Sequence, residues 1–305
     1  MTARSWALPA VWFRTGPAAV LAKGAALAGA ALWTFGAVAL AAAGAGDCGA
    51  GPWMPLKAAT AIDARTIMLG DGSEVRLAGI DSLAALARDR QTAETMDDRL
   101  AGQLAQWLAT MPLRIRILPG KPDRHGRRAA LILADGELLQ KRIMDAGLAV
   151  FMPGDVFGGT SNRPDNAGRD CARKLLAAEA AARLARRGGW SDRKLGVVSA
   201  RPDVLSSQFG HFVIFQGIAR SVGTRRDRTY IDFGDHWRTD VTVEIAAARR
   251  KHFGGEAALE DLAGSTLRVR GFLEEKAGPM ISARYPAQIE VLPDGVAERQ
   301  RIWLR

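Results

Sequence analysis

Two arginines of this 305-residue chain stand in settings where a guanidinium does chemistry. Arg76 lies in the strand-like run Glu74-Val75-Arg76-Leu77-Ala78-Gly79-Ile80-Asp81, and Arg127 lies in Asp123-Arg124-His125-Gly126-Arg127. Guanidinium groups stay charged and bind phosphate oxygens through two parallel N–H donors, so two of them make a candidate phosphate clamp. By residue type alone, a strand arginine and a loop arginine are commonly just surface charges. Near them in sequence stand two carboxylates, Asp63 and Asp81, a further cation, Arg65, and a loop histidine, His125. An imidazole there either donates to phosphate and shuttles protons near neutral pH or is an ordinary exposed side chain.

The elements that must position these residues are legible as short strands. Segments 59–63, 66–69 and 74–80 alternate, with Gly70-Asp71-Gly72 supplying turn chemistry, and this predicts a meander. A helix is expected over 84–110, with Leu100, Leu104, Trp107 and Leu108 at helical spacing and Pro112 closing it. Strands 113–118 and 128–134 flank the loop that carries Arg127. A helix over 138–146 capped by Gly147 follows, then an Ala-rich helix over 169–187 stopped by Gly188-Gly189.

Order, spacing and motifs over residues 57–192 resemble the thermonuclease (staphylococcal nuclease) family. The resemblance rests on the two arginine segments and on Leu175-Leu176-Ala177-Ala178-Glu179-Ala180, leading to Arg186-Arg187-Gly188-Gly189-Trp190-Ser191, which looks like the family's terminal helix and closing tryptophan. It implies an OB-type barrel with helical decorations, phosphodiester hydrolysis, calcium as cofactor and nucleic acid as partner. Carried over residue by residue, it implies that Arg76 and Arg127 bind phosphate and that Asp81 ligates calcium, with Ser82 in place of a threonine whose carbonyl is a ligand.

The chain departs from the family at the metal. The family's other ligating aspartate falls on Arg65, and its water-activating glutamate falls on Ala84. Asp63, two residues back and on the same strand face, is the substitute ligand; Asp89 or Glu94 would have to reach in from the helix. One aspartate with carbonyls and waters holds calcium weakly, so little calcium-dependent cleavage is expected. Arg65 becomes either a third phosphate donor or an ion-pair partner of Asp81 that lowers the pKa of that carboxyl and leaves a metal-free anion site. His125 and Pro153 fall near positions where the family carries tyrosines, which weakens nucleotide stacking.

Net charge is +10, from 42 Lys+Arg against 32 Asp+Glu, with signs interspersed and the excess greatest over 57–195. That suits a polyanion, an anionic membrane surface, or a mixed solubilising surface. The sequence holds no glycine-rich phosphate loop, no paired-histidine metal motif and no recognisable cysteine or serine nucleophile, which excludes those classes. Arg4, Arg14 and Lys23 precede an uncharged Ala/Gly/Leu-rich run over 24–46, about long enough to span a bilayer. Residues 1–46 therefore read as an export signal or membrane anchor, which puts the remainder in a periplasmic or other extracytoplasmic space, secreted or inner-membrane anchored. There Cys48 and Cys171 are candidates for one disulfide or two free thiols.

A second module is expected over 197–293 with strands near 212–219, 229–233, 239–245, 266–272 and 280–282. It looks like the OB-like modules that follow some bacterial thermonuclease-family domains. Phe233, Trp237 and Phe272 either stack on bases or fill its core. The expected fold class is thus mainly β with helical decorations (α+β), an OB-type barrel followed by a second small OB-like β-barrel. The expected function is binding of nucleic acid or another phosphate-bearing ligand with impaired cleavage. The alternatives are a metal-dependent endonuclease rebuilt on Asp81 and Asp63, and an envelope protein whose C-terminal module contacts a protein partner.

Overall fold

A computed structural model describes Cys48 and residues 51–154, 166–236 and 238–293. The 1–46 segment, and with it the export or anchor reading, lies outside these residues, as does Trp237. Among the described residues no helix is long and apolar enough to cross a membrane.

The first half carries β1 (Met54–Leu56), β2 (Ala59–Ala61), β3 (Thr66–Leu69), β4 (Glu74–Leu77), β5 (Ile80–Ser82), α1 (Arg90–Thr110), β6 (Leu113–Ile117), β7 (Arg128–Ala134), β8 (Glu137–Leu138), α2 (Leu139–Asp145), β9 (Ala149–Phe151) and α3 (Asn166–Leu184). Six strands form one curled sheet in the order β1-β6-β7-β4-β3-β2, with β8 added on β7. The turn between β3 and β4 is made by Asp71, whose Oδ1 accepts from the Ser73 N–H and hydroxyl, and by Gly72 at φ 82°. Alternation then buries Ile67, Val75 and Leu77 against α1 and α3.

α1 starts later than its periodicity suggests, because Asp89 caps it by accepting from the Thr92 N–H and hydroxyl. Residues Leu83–Leu86 form a separate 3-10 turn. Thr92, Met96, Leu100, Leu104 and Leu108 are the buried stripe of α1, and each fully buried leucine contributes on the order of 2 kcal/mol. The strand expected over 74–80 breaks at Gly79, φ 74°, so that Ile80–Ser82 leaves the sheet and pairs with β9 instead. Two glycines are required by close approach of backbone. A Cβ on Gly147 would lie 2.1 Å from the Arg187 carbonyl oxygen, and one on Gly188 would lie 2.4 Å from that of Ala146.

The second half carries β10 (Val198–Ser199), α4 (Pro202–Leu205), β11 (Phe212–Ile218), β12 (Ser221–Thr224), β13 (Arg228–Asp232), β14 (Thr242–Ala246), α5 (Glu256–Glu260), β15 (Thr266–Phe272), β16 (Glu274–Lys276), β17 (Gly278–Ser282) and β18 (Ile289–Val291). They form a four-stranded sheet, β10-β11-β15-β18, and a five-stranded sheet, β12-β13-β14-β17-β16, around a shared core. Phe233 belongs to that core, edge-on to Phe215 at 5.1 Å, whereas the Phe272 ring is exposed. Helix and strand take about 33% and 32%, so the fold is mixed α/β with a curled half-barrel sheet rather than mainly β. The two long helices, of 21 and 19 residues, make the difference.

The two halves meet through strands buried on both faces. In β11, Val213 and Phe215 point into the second core, while Phe212 and Ile214 join Leu83, Leu86, Met96, Val150 and Trp190 of the first half. In β15, Leu267 and Val269 point inward and Arg270 points outward to Glu179 of α3. The described residues accordingly form one compact unit.

Candidate functional site

The turn between β2 and β3 sets the first part of the site. Asp63 Oδ1 accepts from the Arg65 and Thr66 N–H groups, both at 2.7 Å. Partial burial opposes ionisation, yet these N–H donors hold the Asp63 carboxyl below its ordinary value. Asp63 Oδ1 is thus engaged in holding the turn. The turn aims Arg65 at Asp81, and Arg65 Nη1 donates to both carboxylate oxygens at 3.0 and 3.1 Å.

Arg65 acts on Asp81 in the expected direction, but the net shift is the opposite one. Burial pushes its pKa up, and Arg65 and the Ser82 N–H offset this only in part. A third carboxylate acts in the same direction, that of Asp97. Asp97 also acts electrostatically on Arg65, and its Oδ1 is buried without a hydrogen-bond partner. Neither helix carboxylate named from the sequence does this: Asp89 caps α1, and Glu94 accepts from Arg90 at 2.7 Å. Helical spacing does place Asp97 beside Ala93 and Leu100, at the edge of the buried stripe, and that was the available signal.

The second part is the loop before β7. Asp123 Oδ1 accepts from the His125 and Arg127 N–H groups, and Oδ2 accepts from Arg127 Nε at 2.9 Å. Burial works against ionisation, but these donors take the Asp123 carboxyl from 3.8 down to about 2. Gly126, at φ 80°, lets the loop close. So anchored, Arg127 Nη1 donates to Thr66 Oγ1 at 2.8 Å. Thr66 stands directly opposite Arg76 across the β3–β4 ladder, and cross-strand partners share a face with Cβ atoms about 5 Å apart.

Arg76 and Arg127 thus come to one face of the sheet around Thr66. Among the described residues Arg76 has no hydrogen-bond or ion-pair partner, so its five donors remain available. His125 is exposed and accepts from Arg124 Nε at 3.0 Å; its N–H helps to hold Asp123, but its imidazole makes no bond to Arg127. Asp123 and Thr66, which orient Arg127, were not singled out in the sequence. An aspartate four residues before an arginine across a glycine was the local sign of the first; the second needs the sheet register.

The calcium that the family resemblance implies does not fit these residues. Calcium takes six to eight oxygen ligands, whereas both Asp81 oxygens face Arg65 and Asp63 is held in its turn. Among the described residues no group of three or more His, Cys, Asp or Glu side chains could hold a metal. Cys48 and Cys171 form a disulfide, with Cα atoms 4.8 Å apart, tying the segment before β1 to α3. No protein-family model matches the chain, and no curated protein matches it.

Proposed function

We propose that this protein binds a phosphate-bearing polymer, nucleic acid foremost, on a thermonuclease-like unit of OB type, and that its capacity for cleavage is impaired or absent. The observation that carries the reading is Arg65 seated on Asp81 beside the face that brings Arg76 and Arg127 together. A cation in the place of a metal ligand converts a cation site into a site for anions. Arg76 then offers a free fork, Arg127 one held by Asp123, and Arg65, paired with Asp81, a further guanidinium one residue before Thr66. On this reading residues 1–46 export or anchor the protein, and the second half is an OB-like module available to a protein partner or to the same polymer.

Fluorescence anisotropy with single-stranded DNA and RNA tests it, using the full chain across a salt series. Binding should fall steeply with salt, and an Arg76→Ala, Arg127→Ala double variant should bind more weakly with its log–log salt slope smaller by about 1.4, about 0.7 for each single-strand phosphate that the variant no longer neutralises. Equal affinity and slope in the two proteins would sink the clamp. A rival enzyme reading draws on the unpartnered Asp97 oxygen. It requires metal-dependent cleavage that disappears in Asp81→Asn and in Asp97→Asn.

A further inference from the structure

At the junction of the two halves is a cavity of about 40 Å³ lined by α3, the 3-10 turn Ala247–Phe253 and the corner after β17. Arg169 comes from α3, Arg249 and His252 from the turn, and Arg284 and Tyr285 from the corner, with Ala172 among the apolar residues of the wall. Three guanidiniums and an imidazole meet there, and among the described residues no carboxylate lines the cavity. Cationic groups gathered around a concave apolar wall raise the local potential and favour an anion.

The donors of Arg249, Arg284 and His252 are in place and unspent. Among the described residues, neither the Arg249 nor the Arg284 guanidinium makes a hydrogen bond or ion pair, and His252 Nε2 is buried with no partner. Burial, with Arg249 and Lys251 beside it, holds the imidazole below its ordinary pKa, so at neutral pH it is uncharged and can present an N–H. Both supporting segments are fixed. Gln288, itself buried, accepts from the Arg284 and Tyr285 N–H groups at 2.7 and 3.0 Å and donates to the Arg270 carbonyl at 3.1 Å. Arg250 braces the turn by donating to Thr229 Oγ1 at 3.0 Å and to Glu256 at 2.6 Å.

Size decides the ligand class. The volume holds about three waters, which suits a tetrahedral oxyanion and leaves no room for a sugar or a base. We infer that this junction is a second anion site, separate from the Arg76–Arg127 face, that takes inorganic phosphate or the phosphoryl group of a small monoester. Recognition is by Arg249 and Arg284 at the rim and His252 Nε2 inside, with one half of the protein supplying the wall and the other most of the donors. Phosphate binding then stabilises the junction, because only the assembled protein has the site.

Isothermal titration calorimetry of the full chain with inorganic phosphate tests this, with acetate in parallel. Three proteins are compared: the wild type, Arg249→Ala with Arg284→Ala, and Arg76→Ala with Arg127→Ala. The side chains removed at the junction are exposed, and an unchanged Tm without phosphate verifies that the fold survives. The expected result is a phosphate site retained in the Arg76/Arg127 variant and weakened at least tenfold in the Arg249/Arg284 variant, with acetate binding at least tenfold weaker than phosphate. Phosphate affinity unaffected by the Arg249/Arg284 change, or lost only with Arg76 and Arg127, overturns the inference. Equal binding of acetate overturns the tetrahedral assignment. Loss of nucleic-acid binding by the Arg76/Arg127 protein bears on the clamp alone, so the two readings fail separately.

Discussion

Two of the arginine–carboxylate pairs have opposite characters. At the junction, Arg270 and Glu179 are each 1% exposed and joined by two hydrogen bonds, at 2.8 and 3.1 Å. Glu179 also accepts from Arg183 at 2.8 Å and from the Phe151 N–H at 2.7 Å, while Arg270 donates to Glu290 at 2.6 Å. At the candidate site, Arg65 is 47% exposed and Asp81 15%, and among the described residues the carboxylate has, beyond Arg65, only the Ser82 N–H. Burial opposes ionisation of both carboxyls, yet Glu179 is held below its ordinary value and Asp81 above it. The number of donors that meet the buried charge decides the sign. Glu179 is a satisfied lock between two halves; Asp81 is under-satisfied, with Asp97 pressing on it.

The contrast is broken most directly at Glu179. Glu179→Ala leaves Arg270 buried without its main partner, which costs about 3–5 kcal/mol. Urea unfolding of the variant measures it, and a loss below about 1 kcal/mol would mean that the junction does not depend on the pair. The same measurement on Arg65→Ala should give no more than about 1 kcal/mol, since an ion pair with one partner half exposed is screened by water. A loss as large as that at Glu179 would erase the distinction.

A finer test uses pH at Asp123. Because its folded carboxyl ionises at about 2 against an ordinary 3.8, its contribution is fully present above pH 3.8 and is lost as the pH falls through about 2. Carboxyl-carbon NMR should therefore find Asp123 still ionised at pH 3.8. In an Arg127→Ala variant its midpoint should move up toward 3.8. A midpoint unchanged by that substitution would detach Asp123 from the role of holding Arg127.

Much of the frame could be read locally, and the reasons are local. The Gly70-Asp71-Gly72 turn, the leucine stripe of α1, its end before Pro112 and the Gly147 cap all follow from backbone preference and period within a few residues. The pairing of Arg65 with Asp81 was among the alternatives that residue type allowed, because opposite charges near one strand end have few other partners. Where reading failed, burial or register had intervened. Gly79 turns β5 out of the sheet, Asp89 delays α1, and the long helices bring helix and strand to near-equal share.

The arginines, the carboxylates, the two cysteines and the periodicities that lay down strands and helices are written in the chain, because each depends on a residue's own chemistry and its nearest neighbours. Only the folded protein settles which charges meet. Thr66 joins Arg76 and Arg127 through sheet register, Asp97 comes to Asp81 from a helix, and Arg270 finds Glu179 across 91 residues. The sign of the Asp81 shift and the arginine-lined cavity at the junction arise at the same level. Both depend on desolvation and on fields from distant segments, which no local pattern encodes.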